Sequence, residues 1–105
     1  MSAAPSLSQL RAAVQRTPTD FIAWVMLADA ELEGGAIEPG ARAAQRALQL
    51  RPGHPEALAR LGRAHWMAGQ HAQAAQLLQQ AADVAPDHPG IALWLGHALE
   101  DAAQP

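Results

Sequence analysis

The sequence contains no cysteine, lysine, tyrosine or asparagine, and only four of its 105 residues are aromatic. Without cysteine, the chain can form neither a disulfide framework nor a zinc site with thiolate ligands. Lysine, tyrosine and cysteine are also three of the side chains that enzymes use as nucleophiles or proton donors. The three serines all lie within the first eight positions. We therefore expect this chain to have no catalytic activity and no cofactor.

Charged residues are few, and their signs are nearly balanced. Seven basic residues, all arginine, oppose ten acidic ones, and the net charge is −3. A charge this small does not predict a nucleic-acid partner. No run approaches the roughly 18 apolar residues of a membrane-spanning helix, and the N-terminus lacks the basic and apolar segments of a secretory signal. These absences predict a cytoplasmic protein that does not enter a membrane.

A repeat of 34 residues runs through the chain. Pro18, Pro52 and Pro86 lie at that spacing. The same step relates further sets of residues: Leu27 with Leu61 and Leu95, Ala30 with Ala64 and Ala98, and Ala13 with Ala47 and Ala81. Alanine, the strongest helix former, fills 26 positions. A period of this length indicates stacked helix pairs, an architecture that builds binding surfaces.

Helical periodicity and chain breakers predict about six helices. Apolar residues recur at helical spacing between breaks at proline and glycine, for example at Pro18 and Gly69. We expect an all-α solenoid of antiparallel helix pairs that forms one domain over residues 1–105. Its parts are a half repeat (5–17), two full repeats (21–54 and 55–88) and a second half repeat (89–103).

The five histidines do not predict a metal site. No two of them are four residues apart, and there is no cysteine to complete a ligand set. His54 and His88 are equivalent turn residues, each followed by proline. This position favours helix capping or packing within the turn.

The repeated positions resemble the tetratricopeptide repeat family, whose 34-residue skeleton contains Trp, Leu-Gly, Tyr, Ala, Phe and Pro. The matching residues are Trp24, Leu27, Ala28, Ala44, Ala47, Pro52, Leu58, Leu61, Gly62, Ala74, Leu78, Ala81, Pro86, Leu95 and Gly96. The sequence departs from the skeleton at Glu31, His65 and Leu99, where the family has Tyr, and at Gly40, where it has Ala. The resemblance implies a superhelix whose first repeat is packed less tightly.

The resemblance also implies that the first helix of each repeat lines the concave face of the superhelix. On this basis we predict a groove for a protein or peptide partner, formed by Val25, Met26, Asp29, Arg60, Arg63, Trp66, Met67, Trp94 and His97. Arg60 and Arg63 share a helix face, and Trp and Arg most often anchor interfaces. We therefore expect a peptide that carries a carboxylate. The alternatives are that Trp66 and Trp94 are buried between helices, and that the arginines pair with local acids such as Glu56.

Three stretches also resemble the N-terminal repeats of bacterial homologues of the O-linked N-acetylglucosamine transferase. They read QLRAAVQRTPTDFIAWVMLADAEL, HPEALARLGRAHW and HPGIALWLGHALEDA. That family places such repeats before a glycosyltransferase domain that uses UDP-N-acetylglucosamine. The resemblance implies a non-catalytic arm of a larger enzyme, to which no catalytic residue can be assigned here. The asparagine ladder and the Lys/Asn chaperone clamp of related repeats need residues that this chain lacks.

The competing interpretation is a stand-alone adaptor or an oligomerisation module. The third repeat supplies only its first helix, so no partner helix follows to cover Leu95, Ala98 and Leu99. Repeat arrays normally need a polar terminal cap. An uncapped end indicates either a fragment of a longer protein or a self-association surface. In the second case we expect the chain to form a homodimer through its uncapped C-terminal helix.

Overall fold

The computed structural model describes residues 4–104, which form six α-helices and no strand. The helices are α1 (Leu7–Arg16), α2 (Phe21–Glu33), α3 (Ile37–Leu50), α4 (Pro55–Met67), α5 (His71–Val84) and α6 (Pro89–Ala102). The all-α repeat fold with six helices is therefore confirmed. The predicted domain range 1–105 includes residues 1–3 and 105, which lie outside the described residues.

Side-chain caps start four of the helices. Ser6 and Gln9 form a reciprocal capping box at α1, and the Asp20 carboxylate accepts a hydrogen bond from the Ala23 amide at α2. At α4 and α6 the acceptor is the Nδ1 atom of His54 and of His88. The predicted capping role of these two histidines is confirmed, and their unprotonated Nδ1 atoms satisfy amides that a helix start leaves free.

Glycines in the left-handed conformation end the first helix of each full pair. Gly35 and Gly69 both have φ 81°, and each lies two residues after the end of its helix. A side chain with a β-carbon is strained at such an angle, whereas glycine is not. These turns reverse the chain tightly enough for α3 to pack antiparallel on α2, and α5 on α4.

Alanines let the helices approach closely along the whole stack. Several are fully excluded from solvent where neighbouring helices meet, namely Ala28, Ala44, Ala47, Ala57, Ala74, Ala81 and Ala98. Larger side chains fill the remaining space, and Leu32, Leu78 and Ile91 are almost completely buried. Each described helix contacts only its first and second neighbours in the chain, so the domain is a layered stack measuring 43 × 29 × 26 Å.

The predicted loose packing around Gly40 is wrong. Gly40 is buried, and a β-carbon built there would lie 2.5 Å from Cδ2 and 2.6 Å from Cγ of Leu32. Leu32 thus occupies the volume that an alanine side chain would fill.

Replacing Gly62 by leucine should overpack the contact between α4 and α5. A β-carbon at Gly62 would lie 2.9 Å from Cγ of the fully buried Leu78 and 3.4 Å from the Ala74 carbonyl oxygen. We expect the substitution to lower the free energy of unfolding by about 1–3 kcal/mol, measured by thermal or urea unfolding. Gly96 is the matched control, because a β-carbon there meets nothing within 4 Å. An unchanged melting temperature for Gly62→Leu would contradict this packing.

Candidate functional site

A cavity of about 250 Å³ opens beside α4, where this helix contacts α2 on one side and α6 on the other. The capped starts of α4 and α6 and the tight turns before them hold these helices side by side. The cavity is lined by Asp29, Glu33, Ala59, Arg60, Arg63, His88, Gly90, Ile91 and Trp94. Four of the nine predicted groove residues, Asp29, Arg60, Arg63 and Trp94, therefore meet at one site.

Arg60 is held by two carboxylates. Its Nε and Nη2 atoms donate to the two Asp29 carboxylate oxygens, each at 3.0 Å, and its Nη1 atom donates to Glu56. Burial alone would lower the pKa of Arg60, but the hydrogen bonds and negative charges of Asp29 and Glu56 outweigh it and raise this pKa above its ordinary value. Arg60 therefore stays charged and joins α2 to α4, and its own charge is already compensated.

His88 extends this network to the start of α6. Its Nδ1 atom accepts from the Ile91 amide, so the proton of the neutral ring lies on Nε2, which donates to Glu56 Oε1 at 2.9 Å. Glu56 thus contacts both Arg60 and His88. A continuous chain of polar contacts crosses from α2 through α4 to α6 beneath the cavity.

Arg63 differs from Arg60 because its hydrogen-bonding capacity is largely unused. Its Nη1 atom lies 3.8 Å from Asp29 Oδ1, which is too far for a hydrogen bond. Its Nε atom is enclosed and has no hydrogen-bond partner among residues 4–104. The guanidinium carbon lies 5.3 Å from the centre of the Trp94 ring, within the range of a cation–π contact. The enclosed Nε atom is not open to a ligand, so the donors that Arg63 retains for one are those of its two Nη groups, which form no hydrogen bond within residues 4–104.

The two tryptophans on this face contact each other edge to face, with ring centres 5.1 Å apart. Trp66 Nε1 donates to the Asp101 carboxylate at 2.6 Å, which fixes Trp66 against α6. Trp94 lies between Arg63 and His97, whose ring centre is 5.9 Å away. Both indoles are half-buried. The two interpretations of these tryptophans therefore each hold in part, because the rings pack between helices and still reach the surface.

Val25 does not line the groove, which corrects the prediction. Its side chain is only 7% exposed and belongs to a cluster with Phe21, Ala47 and Ala57. These neighbours come from α2, α3 and α4, so the face of α2 that carries Val25 is sealed by the next two helices. Met26, one residue further on, is partly exposed and lies at a separate cavity against α1.

The remaining predicted residues lie around the cavity rather than in its wall. Met67 is half-buried at the end of α4, and His97 is exposed on α6. Glu33 also lies in the cavity wall, and no pattern in the sequence distinguished it as a groove residue. No group of three or more His, Asp or Glu side chains within residues 4–104 is arranged to hold a metal ion.

One ion pair had no signal in the sequence. Glu31 is 4% exposed, and the Arg11 Nη2 atom donates to its carboxylate at 2.7 Å. This contact joins α1 to α2 at a position where the repeat skeleton expects Tyr.

Of the helices in the described part of the chain, none is long and apolar enough to cross a membrane.

The stacked helix pairs, with a groove between their first helices, define a helical-repeat solenoid. Family models described as tetratricopeptide repeat match residues 2–55, 40–81 and 65–105. The chain belongs to the tetratricopeptide repeat family. No curated protein matches it.

Solved structures show the same fold at low sequence identity. A crystal structure of the MamA protein superposes with a TM-score of 0.80 at 22% identity, covering 91% of this chain and 52% of that one. The tetratricopeptide repeat domain of Arabidopsis OM64 gives 0.82 at 15% identity, covering 90% and 78%. A structure of UNC-45, a chaperone described as binding and folding muscle myosin, gives 0.82 at 21% identity, covering 90% and 11%. The chain thus spans about half the length of the MamA structure it matches.

Proposed function

We propose that the groove along α2, α4 and α6 binds a peptide segment of a partner protein. The observation that carries this proposal is the arginine Arg63, which has unused donors and lies against Trp94 in the wall of a cavity of about 250 Å³. Arginine and tryptophan side by side are the residues that most often anchor an interface. The net charge of −3 favours a protein rather than a nucleic acid.

The partner segment would present a carboxylate to Arg63 and an apolar side chain to the half-buried Trp94. Arg60 illustrates the chemistry, because its guanidinium takes both oxygens of the Asp29 carboxylate. Arg60 itself is not available, since Asp29 and Glu56 occupy its donors. The proposal therefore assigns the two arginines different tasks: Arg60 holds the helices together, and Arg63 binds the ligand.

Replacing Arg63 by glutamine should weaken the binding of an acidic peptide by about tenfold or more, because a charge-assisted hydrogen bond is lost. The change in fluorescence of the cavity tryptophan Trp94 during titration reports the affinity. A peptide with Gln in place of its acidic residues should bind as weakly to the unaltered protein. Arg42→Gln is the matched control, since Arg42 lies exposed on α3 outside the groove. Equal affinity of the acidic peptide for all three proteins would refute the proposed site.

For the biological context, we propose that these repeats form the partner-binding arm of a larger bacterial glycosyltransferase in the cytoplasm. The support is the resemblance of three stretches to the N-terminal repeats of O-linked N-acetylglucosamine transferase homologues. An antibody against this domain, used on a lysate of the source cells, tests the idea. A band several-fold larger than 11.1 kDa would support it, and a band near 11.1 kDa would favour a stand-alone adaptor.

Oligomerisation is the second candidate function, and one observation favours it. Leu93 and Leu99 on α6 are 60% and 52% exposed, although the helix otherwise buries its apolar residues Ile91 and Ala98. Exposed large apolar side chains on one helix of a small domain favour a protein–protein contact there. A homodimer formed through α6 is the simplest assembly that would cover it.

A further inference from the structure

The cavity beside α4 is surrounded by more negative than positive charge. The charged side chains in its wall are Asp29, Glu33, Arg60 and Arg63. Glu56, which accepts a hydrogen bond from Arg60, adds a third carboxylate against the two guanidinium groups. A ligand with only negative charge would increase this excess when it binds Arg63. A ligand that also carries a cation would instead neutralise it.

Glu33 is the carboxylate at the cavity that is free to meet such a cation. Both oxygens of Asp29 accept hydrogen bonds from Arg60, and the two oxygens of Glu56 contact Arg60 and His88. Glu33 is exposed, and its carboxylate forms no ion pair within residues 4–104. The cavity therefore offers one guanidinium and one carboxylate to a ligand, namely those of Arg63 and Glu33.

The position of Glu33 in its helix is unfavourable for a negative charge. Glu33 is the last residue of α2, and the last turn of this helix contains no basic residue. Free carbonyl groups make a helix C-terminus partly negative, so a carboxylate there lowers the stability of the helix. Glu31 in the same turn is paired with Arg11, but Glu33 has no such compensation in the described part of the chain. Departures of this kind from the local rules are expected at functional sites.

The two free charges lie on either side of Asp29. Glu33 follows Asp29 by one helical turn, a spacing that places their β-carbons about 5–6 Å apart on one helix face. Across the cavity, the Nη1 atom of Arg63 lies 3.8 Å from Asp29 Oδ1. In an extended peptide, side chains two positions apart point the same way and are separated by about 6–7 Å. Such a pair of side chains can therefore reach both sides of Asp29 at once.

We infer that the groove binds an extended segment that carries an acidic and a basic residue two positions apart. The acidic side chain binds Arg63, and the basic side chain binds Glu33. This inference rests on the proposed function, peptide binding at Arg63, and adds a second contact of opposite charge. The second contact provides specificity, because a uniformly acidic segment would place like charge beside Glu33.

Fluorescence titration with peptides whose termini are blocked tests the inference. The probes contain Asp-Leu-Arg or the reverse order Arg-Leu-Asp, because the segment can run in either direction along the groove. The matched peptides replace Arg by Gln or by Asp. One of the two Arg peptides should bind about two- to fivefold more tightly than its Gln counterpart, the range for an exposed ion pair. The peptide with two Asp residues should bind more weakly than the Gln peptide.

Glu33→Gln should abolish the preference for Arg over Gln and leave the affinity for the Gln peptide unchanged. Its melting temperature should stay the same or rise slightly, because the substitution removes a carboxylate from a helix C-terminus. A purely structural role of Glu33 would instead lower the melting temperature. Glu38→Gln is the matched control, since Glu38 is exposed on α3 outside the groove, and it should keep the preference for Arg.

The same titrations separate this inference from the proposed function. If the preference for Arg is absent, or survives Glu33→Gln, while Arg63→Gln still weakens binding, the second contact is overturned and peptide binding at Arg63 stands. If neither Glu33→Gln nor Arg63→Gln changes any affinity, both are overturned.

Discussion

Replacing Leu78 by alanine is expected to lower the free energy of unfolding by about 2–5 kcal/mol, the range found for fully buried leucines. Leu78 is completely excluded from solvent and packs with residues of both α4 and α6, among them Leu58 and Ile91. Five of the other seven buried residues in this cluster are alanines, whose side chains are too short to move into the cavity left behind. The loss should therefore fall toward the upper part of the range.

Urea unfolding followed by circular dichroism measures this loss. Leu99→Ala is the matched control, since Leu99 is the same residue type but is 52% exposed, and its replacement should change stability by less than about 0.5 kcal/mol. Equal losses for the two variants would mean that Leu78 does not join α5 to α4 and α6.

Replacing Asp29 by alanine should lower the free energy of unfolding by about 1.5–3 kcal/mol. The substitution removes both hydrogen bonds to the partly buried Arg60, and it also removes the carboxylate nearest to Arg63. Two cations then remain close together with only Glu56 to compensate them. The expected loss is much larger than that for an exposed pair such as Glu38 with Arg42, for which Glu38→Ala should cost less than about 0.5 kcal/mol.

A double variant separates the loss of contacts from the penalty of leaving Arg60 unpaired. In Asp29→Leu/Arg60→Leu neither charge remains, and apolar side chains replace the pair, so much of the stability should return. Thermal unfolding of the single and double variants provides the comparison. A double variant less stable than Asp29→Ala would show that the ion pair itself, rather than the unpaired cation, accounts for the effect.

The helices and their boundaries were predictable because their signals are local. Asp20 and Ser6 cap helices from positions next to the first turn, and Gly35 and Gly69 end helices through their own backbone angles. His54 and His88 could be assigned to capping because the repeat places both before a proline at a helix start. In each case the residue and the backbone group it satisfies are no more than three positions apart.

The contacts between helices could not be predicted in the same way. Arg60 and Asp29 are 31 residues apart, and only the angle between α2 and α4 decides that Asp29 binds Arg60 rather than Arg63. The same holds for Val25, whose burial depends on how closely α4 approaches α2. Gly40 was misjudged because the residue that fills its space, Leu32, lies on the partner helix. Four of the nine predicted residues thus lie at one cavity, but the pairing of charges within it could not be predicted.

The layered contacts of the helices have a consequence for how this protein responds to damage. Because each described helix touches only its first and second neighbours, no central core holds all six together. Cleavage or local melting of α1 removes the neighbour of α2 but leaves the packing of α4 against α5 unchanged. Partially unfolded forms that keep the middle helices are therefore accessible from either end, and the contact of Asp29 with Arg60 between α2 and α4 outlasts that of His88, which opens with α6.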